Sequence, residues 1–417
     1  DDPMLFWYAG QLSNPLSAFT NPRVLREFTT GRALVPMQLV SYWADVRLAG
    51  FSPHAAYLHQ TASFLAALLA LYLLLSRVLE GRKLAAALAA LLWALTPATA
   101  VVAQFLATRH YLEGMLFALL AAYLLLRAPK TRGARRRWLQ AAVYGCSVVA
   151  MLYKEVFAPL LVLLLLACAW RFRRRGQAAA ALVLALCYAA YRFWMLGPAL
   201  AYDMPYLTAG QYLRFLWKLP YSLSSNYAGY ALCAALAALA WRCATREEEH
   251  RWVVAAYLSA AAVSLAAIWS VSYPLYGMMR VPDAWHRIVF PLHTLTLIFG
   301  AWLAVRAQAR KAQAVLALAA LLALGAGAGK TRRLWTDMTA KAEREGKFYL
   351  ANPDKVLLSN DPAWWFIPGV HRMYGVQTPH YVLRKDLKGS SASLPVPLWT
   401  DRGGRFEPLD ALPAERP

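Results

Sequence analysis

The fold is decided by residues 55–79, which read AAYLHQTASFLAALLALYLLLSRVL. This run is longer than the roughly 20 apolar residues that carry a helix across a bilayer. Comparable runs recur along the chain, whose 417 residues are 59% hydrophobic and 16% charged. Soluble domains carry about a quarter charged residues. The sequence therefore predicts an all-α, polytopic membrane protein.

The apolar runs predict about ten transmembrane helices. They cover residues 55–79, 84–104, 110–127, 138–153, 157–170, 177–196, 222–241, 253–272, 288–305 and 312–329. The segments between them alternate between short basic turns and aromatic, proline-containing loops. This alternation puts Asp1 on the outer side, which favours one further helix before it and a total of about eleven.

The net charge of +22 is concentrated in the connecting segments. Its two densest clusters lie between apolar runs: Arg132, Arg135, Arg136 and Arg137, then Arg171, Arg173, Arg174 and Arg175. That placement is typical of cytoplasmic loops and argues against a nucleic-acid partner. We expect a multi-pass protein of a bacterial-type inner membrane, with the aromatic loops facing the periplasm or exterior.

Three regions are expected along the chain. Residues 1–52 form a first external loop with amphipathic helices, such as Ala33–Leu48, that suit a membrane surface. Residues 53–329 form the transmembrane domain. Residues 330–417 have a soluble composition and form an external domain or tail, with short strands at Val356–Ser359 and Tyr381–Leu383.

The five cysteines lie in or beside apolar runs and lack metal-ligand spacing. Neither a disulfide nor a cysteine metal site is expected. Each reads as a small buried hydrophobic residue.

Ionisable residues collect at the helix ends that are expected to face outward. They are Arg109, His110, Lys154, Glu155, Arg192, Arg280, Asp283, His286 and Arg287. An acidic pair, Asp1 and Asp2, precedes the loop on the same side. Ionisable groups at the edge of hydrocarbon are costly and tend to mark functional sites, so this set is our candidate active site.

Each motif also has an ordinary interpretation. Asp1–Asp2 suits a general base or a divalent cation, but also describes a solvated acidic terminus. Arg109–His110 suits phosphate binding at a helix start, but also an interfacial anchor. Lys154–Glu155 suggests a water-filled cavity or a self-neutralising pair.

The remaining charged residues also allow both a functional and an ordinary interpretation. Arg192 suits a site, or a side chain that snorkels to the interface. Arg287 suits phosphate or sugar contact, with Arg280, Asp283 and His286 as accessory residues. His286 has no partner at ligand spacing, so no metal site is expected there.

The order of these motifs resembles the GT-C superfamily of membrane glycosyltransferases, especially protein O-mannosyltransferases and the transmembrane O-mannosyltransferases that act on cadherins. The stretches that carry the resemblance are Asp1–Asp2, Gly31–Pro36 with Ala49–Pro53, Leu95–Pro97 with Thr108–His110, Tyr153–Glu155, and His286–Pro291. They appear in matching order over about residues 1–340.

The resemblance implies a GT-C-like bundle and an enzyme that uses a polyprenyl-phosphate sugar donor. Asp2, or alternatively Asp1, would activate a hydroxyl of an exported protein or lipid, which attacks the anomeric carbon with inversion. Arg109 and Arg287 would bind the phosphate, and Lys154–Glu155 would shape the pocket. No cofactor is expected beyond the cation that Asp1 and Asp2 could hold.

The chain departs from this pattern in two ways. The cadherin-directed relatives tend to have His and Asn where this chain has Tyr57 and Gln60, and their tetratricopeptide repeats are missing. A non-catalytic scaffold, or accessory subunit of a larger membrane complex, is therefore the second hypothesis. A lipid or solute transporter is third, because neither charge deep in the spans nor an inverted repeat is evident.

Overall fold

The computed structural model describes residues 2–29, 33–128, 131–171, 175–197, 208–269, 286–306, 310–352, 356–359, 381–383, 398–402 and 405–409. Most of these residues are helical. The first helices are α1 (Asp2–Gly10), α2 (Ser17–Thr20), α3 (Pro22–Thr29), α4 (Pro36–Ala49), α5 (Pro53–Val78), α6 (Lys83–Ala94), α7 (Pro97–Gln104) and α8 (Arg109–Arg127). They are followed by α9 (Gly133–Tyr153), α10 (Phe157–Arg171), α11 (Arg175–Leu196), α12 (Ala209–Ser224), α13 (Ala228–Arg246), α14 (Glu248–Trp269), α15 (His286–Arg306) and α16 (Arg310–Ala351).

Within the described part of the chain, five helices are long and apolar enough to cross a membrane. They are α5, the segment Leu106–Arg127 that contains α8, α11, α13 and Arg287–Arg306 of α15. The pair α6 and α7 adds a sixth if its two arms form one bent span. By length and composition, these helices suggest a multi-pass membrane protein, as the hydropathy of the sequence predicts.

Two predicted spans are interrupted. The span 84–104 is broken after Ala94, and α6 and α7 meet at 65°. Pro97 lacks an N–H and favours the first turn of a helix, while the Thr96 hydroxyl accepts the Thr99 N–H at 3.2 Å. The predicted span 222–241 is interrupted near its start, because α12 ends at Ser224 and α13 begins at Ala228.

The chain groups into two compact units. One contains residues 14–41 and 53–332, and the other contains residues 1–13, 42–52 and 333–417. The second unit holds a four-stranded sheet of β1 (Val356–Ser359), β2 (Tyr381–Leu383), β3 (Leu398–Arg402) and β4 (Arg405–Leu409), in the order β2-β1-β3-β4. The two strands predicted from sequence are confirmed.

The sheet is mixed. Strand β1 lies between two parallel neighbours, with Leu357 opposite Tyr381 on β2 and Val356 opposite Leu398 on β3. Strand β4 pairs antiparallel with β3, from Leu398 opposite Leu409 to Arg402 opposite Arg405.

The first unit is packed around Trp93, which is fully buried. Its ring stacks on Phe64 at 5.9 Å and lies 5.8 Å from Phe290, and its indole N–H donates to Thr294 Oγ1 at 2.9 Å. Helices α5, α6 and α15 are therefore joined at one residue. In lipid, such close packing and interhelical hydrogen bonds replace the hydrophobic driving force between helices.

Candidate functional site

The site is built on a tight reversal between α7 and α8. Phe105 is followed by a 3₁₀ turn, Leu106–Thr108, and α8 begins at once with Arg109. The Thr108 hydroxyl closes the turn by donating to the Phe105 carbonyl at 2.6 Å. From α4, the Gln38 amide donates to the Ala107 carbonyl at 3.0 Å. The first turn of α8 is thus held inside the protein.

Arg109 is fully buried, and its guanidinium donates to groups from two other helices. On α5 its partners are Ala56 O at 2.8 Å, Gln60 Oε1 at 3.2 Å and His59 Nδ1 at 3.3 Å. On α4 it reaches Ser41 Oγ at 3.4 Å. A buried guanidinium must find such acceptors, since desolvation otherwise costs several kcal/mol. Arg109 therefore holds α4, α5 and α8 together, which is neither of the roles expected from sequence.

Glu113 lies one turn further along α8 and is also buried. Its Oε1 accepts from His59 Nε2 at 3.0 Å, Ser63 Oγ at 3.2 Å and Ser41 Oγ at 3.3 Å. Two of these donors, Ser41 and His59, also contact Arg109. The opposite charges are thus joined through side chains of α4 and α5. We call Ser41, His59, Gln60, Ser63, Arg109 and Glu113 the buried network.

The buried network fixes the orientation of the His59 ring. Arginine only donates hydrogen bonds, so His59 Nδ1 accepts from Arg109. The ring hydrogen is then on Nε2 and is directed at Glu113. His59 is also the network member nearest to solvent, with its side chain 36% exposed.

The second oxygen of Glu113 is less well satisfied. Oε2 is buried and has no hydrogen-bond partner among the described residues. The Tyr153 hydroxyl is a neighbour of this carboxylate and interacts with it electrostatically. A buried carboxylate inside a predicted span is costly, so Glu113 is a functional candidate as well as a structural one.

A second group of charges lies where α8, α10 and α15 begin and α9 and α11 end. We call Lys154, Glu155, Arg192 and Arg287 the cation cluster. All four side chains are partly exposed. Three cations against one carboxylate leave these four residues with a formal charge of +2.

Three members of the cation cluster, Lys154, Glu155 and Arg287, lie near His110 or Tyr111. Lys154 Nζ lies 5.4 Å from the centre of the Tyr111 ring, which is 4.5 Å from the His110 ring. Lys154 and Arg287 both act electrostatically on His110. His110 is buried, and its Nδ1 has no hydrogen-bond partner in the described part of the chain. Positive charge of the cluster thus lies near a buried polar atom, Nδ1 of His110.

Glu155 is held by a neighbouring helix and by the segment that precedes α4. Its Oε1 accepts the Leu34 N–H at 2.7 Å and lies 3.5 Å from Arg192 Nε. The contact with Arg192 differs from the local pairing with Lys154 that the sequence also allowed. It also brings Arg192 towards the protein, which argues against a purely snorkelling role.

The structure therefore brings together six of the predicted residues: Arg109, His110, Lys154, Glu155, Arg192 and Arg287. It does not place the others. Asp1, Arg280 and Asp283 lie outside the described residues, as do the side chains of Asp2, which begins α1, and His286, which begins α15.

Sequence reasoning missed Glu113, His59, Ser41 and Ser63. The available signal was the pair Arg109 and Glu113, four residues apart in a span, with His59, Gln60 and Ser63 near the start of another. Spacings of three and four residues share a helix face, and ionisable groups inside spans usually face protein. Glu113 is such a group, since it lies inside the predicted span 110–127 and is buried.

No group of three metal-ligating side chains occurs among the residues that the structure describes. The expected cation at Asp1 and Asp2 falls outside them and stays a prediction. Comparisons with protein-family models, with curated proteins and with solved structures found no match. The resemblance to GT-C enzymes consequently depends on the quoted motifs alone.

Proposed function

We propose that the chain is a membrane glycosyltransferase with a GT-C-like bundle of about ten spans, or eleven with one before Asp1. It would move a sugar from a polyprenyl-phosphate donor to a hydroxyl of an exported protein or lipid. The reaction would occur at the periplasmic or outer face of a bacterial-type inner membrane. The observation that carries the proposal is the cation cluster, contributed by separate helices at one end of the bundle.

The chemistry of the donor suits such a cluster. Its polyprenyl chain stays in the bilayer and its phosphate lies at the boundary. Lys154, Arg192 and Arg287 are partly exposed and would contact the phosphate there. Preorganised positive charge stabilises a departing phosphate most strongly in a partly dry site. The cations of the cluster are the phosphate ligands in this proposal, and Arg109 is a positioning residue because its guanidinium serves the buried network.

In the proposed reaction, Asp2 removes the proton of the acceptor hydroxyl, with Asp1 as the alternative base. The hydroxyl oxygen forms a bond to the anomeric carbon from the side opposite the phosphate. The bond between the anomeric carbon and the phosphate oxygen breaks, and polyprenyl phosphate leaves with the electron pair. The sugar is transferred with inversion, and the leaving phosphate is neutralised by Lys154 and Arg287.

The double variant Lys154→Ala/Arg287→Ala is expected to lower sugar transfer by roughly a hundredfold or more, because it removes charge opposite the leaving phosphate. The measurement is mass spectrometry of exported proteins and envelope lipids from cells that express each variant equally. Asp1→Asn/Asp2→Asn should abolish the same sugar-sized mass. The matched control is Arg242→Ala/Arg246→Ala, an exposed pair at the end of α13, which should leave transfer unchanged.

A scaffold without catalytic activity is the second candidate. The buried position of Arg109 favours the scaffold. Its guanidinium contacts other helices, whereas the resemblance implies that it binds phosphate. The same experiment separates the two functions. If no sugar-sized mass depends on the wild-type gene, the transferase proposal is overturned and the scaffold takes its place.

A further inference from the structure

Helix α12 has two different faces. Phe215 is fully buried and packs in one cluster with Ile288 and Val289 of α15. On the other face, Leu213 and Trp217 are 64% and 73% exposed. Residues 197–221 are expected from the sequence to connect two spans, so the expected functions make no use of the outer face of α12.

The outer face of α12 also carries positive charge. Arg214 and Lys218 are exposed and follow Leu213 and Trp217 by one residue each. From 208 to 246 the sequence has no Asp or Glu. An exposed helix face that combines large apolar side chains with cations is typical of helices in a membrane interface.

Aromatic rings extend this surface onto α13. Trp217 lies 5.7 Å from Tyr230, which lies 6.3 Å from Tyr227, and Tyr227 lies 5.6 Å from Tyr221. The Tyr230 hydroxyl donates to the Trp217 carbonyl at 2.8 Å and so fixes the two helices. Tyr227 is 82% exposed.

These aromatic rings lie at the start of a candidate membrane-spanning helix. Tyr227 directly precedes α13, which is one of the helices apolar enough to cross a membrane. Tryptophan and tyrosine are enriched where such helices leave the hydrocarbon, because their rings suit the headgroup level. Lys330 adds a third cation there, with Nζ 2.9 Å from the Tyr221 hydroxyl.

We propose that α12 lies in the membrane interface and that its outer face, Leu213, Arg214, Trp217 and Lys218 together with Tyr227, binds anionic phospholipid headgroups. The apolar and aromatic side chains enter the upper acyl region, and the cations face the lipid phosphates. Each basic residue near an anionic surface contributes favourably to binding. This inference does not depend on the proposed transferase function.

The test uses the full chain in nanodiscs of phosphatidylcholine with a minor share of phosphatidylglycerol. Two preparations are compared, one with brominated phosphatidylglycerol and one with brominated phosphatidylcholine. The bromine is near the top of the acyl chains, where it quenches the fluorescence of nearby tryptophan. The fluorescence of Trp217 is obtained by subtracting the emission of the Trp217→Phe variant from that of the wild type. Brominated phosphatidylglycerol is expected to quench it about fivefold more strongly than brominated phosphatidylcholine at equal mole fraction.

The variant Arg214→Gln/Lys218→Gln should make the two lipids quench Trp217 equally. The control Arg135→Gln/Arg137→Gln removes the same charge from exposed residues of α9 and should keep the preference. Equal quenching by both lipids in the wild type would overturn the anionic-lipid assignment. Absence of quenching of Trp217 by either lipid would overturn the interfacial position.

Discussion

The substitution Arg109→Met is expected to lower the free energy of unfolding by about 3–5 kcal/mol. Removing the guanidinium leaves the buried Glu113 carboxylate without its counter-charge, and it takes away the Arg109 donor of Gln60 Oε1. Breaking a buried pair costs far more than the pair itself contributes, because the remaining charge is desolvated and uncompensated. Denaturant titration of the purified protein in detergent measures the difference.

Arg127→Met is the matched control for this substitution. Arg127 lies at the other end of α8, is partly exposed and contacts the Tyr123 hydroxyl at 3.3 Å, so its loss should cost at most about 1 kcal/mol. The double variant Arg109→Met/Glu113→Met should recover part of the lost stability, because no lone charge remains. Equal effects of Arg109→Met and Arg127→Met would refute the bridged ion pair.

The second large effect is expected at Gly327 of α16. A Cβ atom there would collide with the Ser224 carbonyl group and would approach Pro97 Cγ to 2.9 Å. Ser224 ends α12, and its backbone cannot move without shifting the turn into α13. Gly327→Ala should therefore cost about 1–3 kcal/mol through overpacking, as measured by the same denaturant titration.

Gly325→Ala is the natural comparison. This glycine lies in the same helix, and a Cβ there meets no atom within 4 Å. The substitution should be neutral, or stabilise by up to about 1 kcal/mol, because alanine favours a helix more than glycine does. If both variants change stability alike, the close approach of α16 to the end of α12 is wrong.

Long apolar runs made most of the helices predictable, and among the described residues five helices, or six with the bent pair of α6 and α7, are long and apolar enough to cross a membrane. The break at Thr96 and Pro97 was visible in the sequence, but the apolar character on both sides concealed it. Helix α12 escaped detection because Arg214 and Lys218 interrupt its apolar pattern. Residues 330–351 were read as part of a soluble region, yet they contain no proline and continue α16.

The candidate site was only partly predictable. The turns at Arg109, Lys154 and Arg287 could be assigned to one side of the membrane from sequence. Successive spans alternate in direction, so every second connection lies on the same side. The partners of those residues depend on how each helix is rotated. Sequence alone does not specify that rotation, and it therefore did not predict the contact of Glu155 with Arg192 or the role of His59.

The bridges of the buried network also constrain how the protein enters the membrane. Arg109 and Glu113 share one helix and are bridged by Ser41 of α4 and His59 of α5. Inserted alone, α8 would present two charges to lipid at several kcal/mol. Because both bridging residues precede α8 in the chain, their helices emerge from the ribosome first. Synthesis from the N-terminus therefore supplies the partners before the charged segment reaches the insertion machinery.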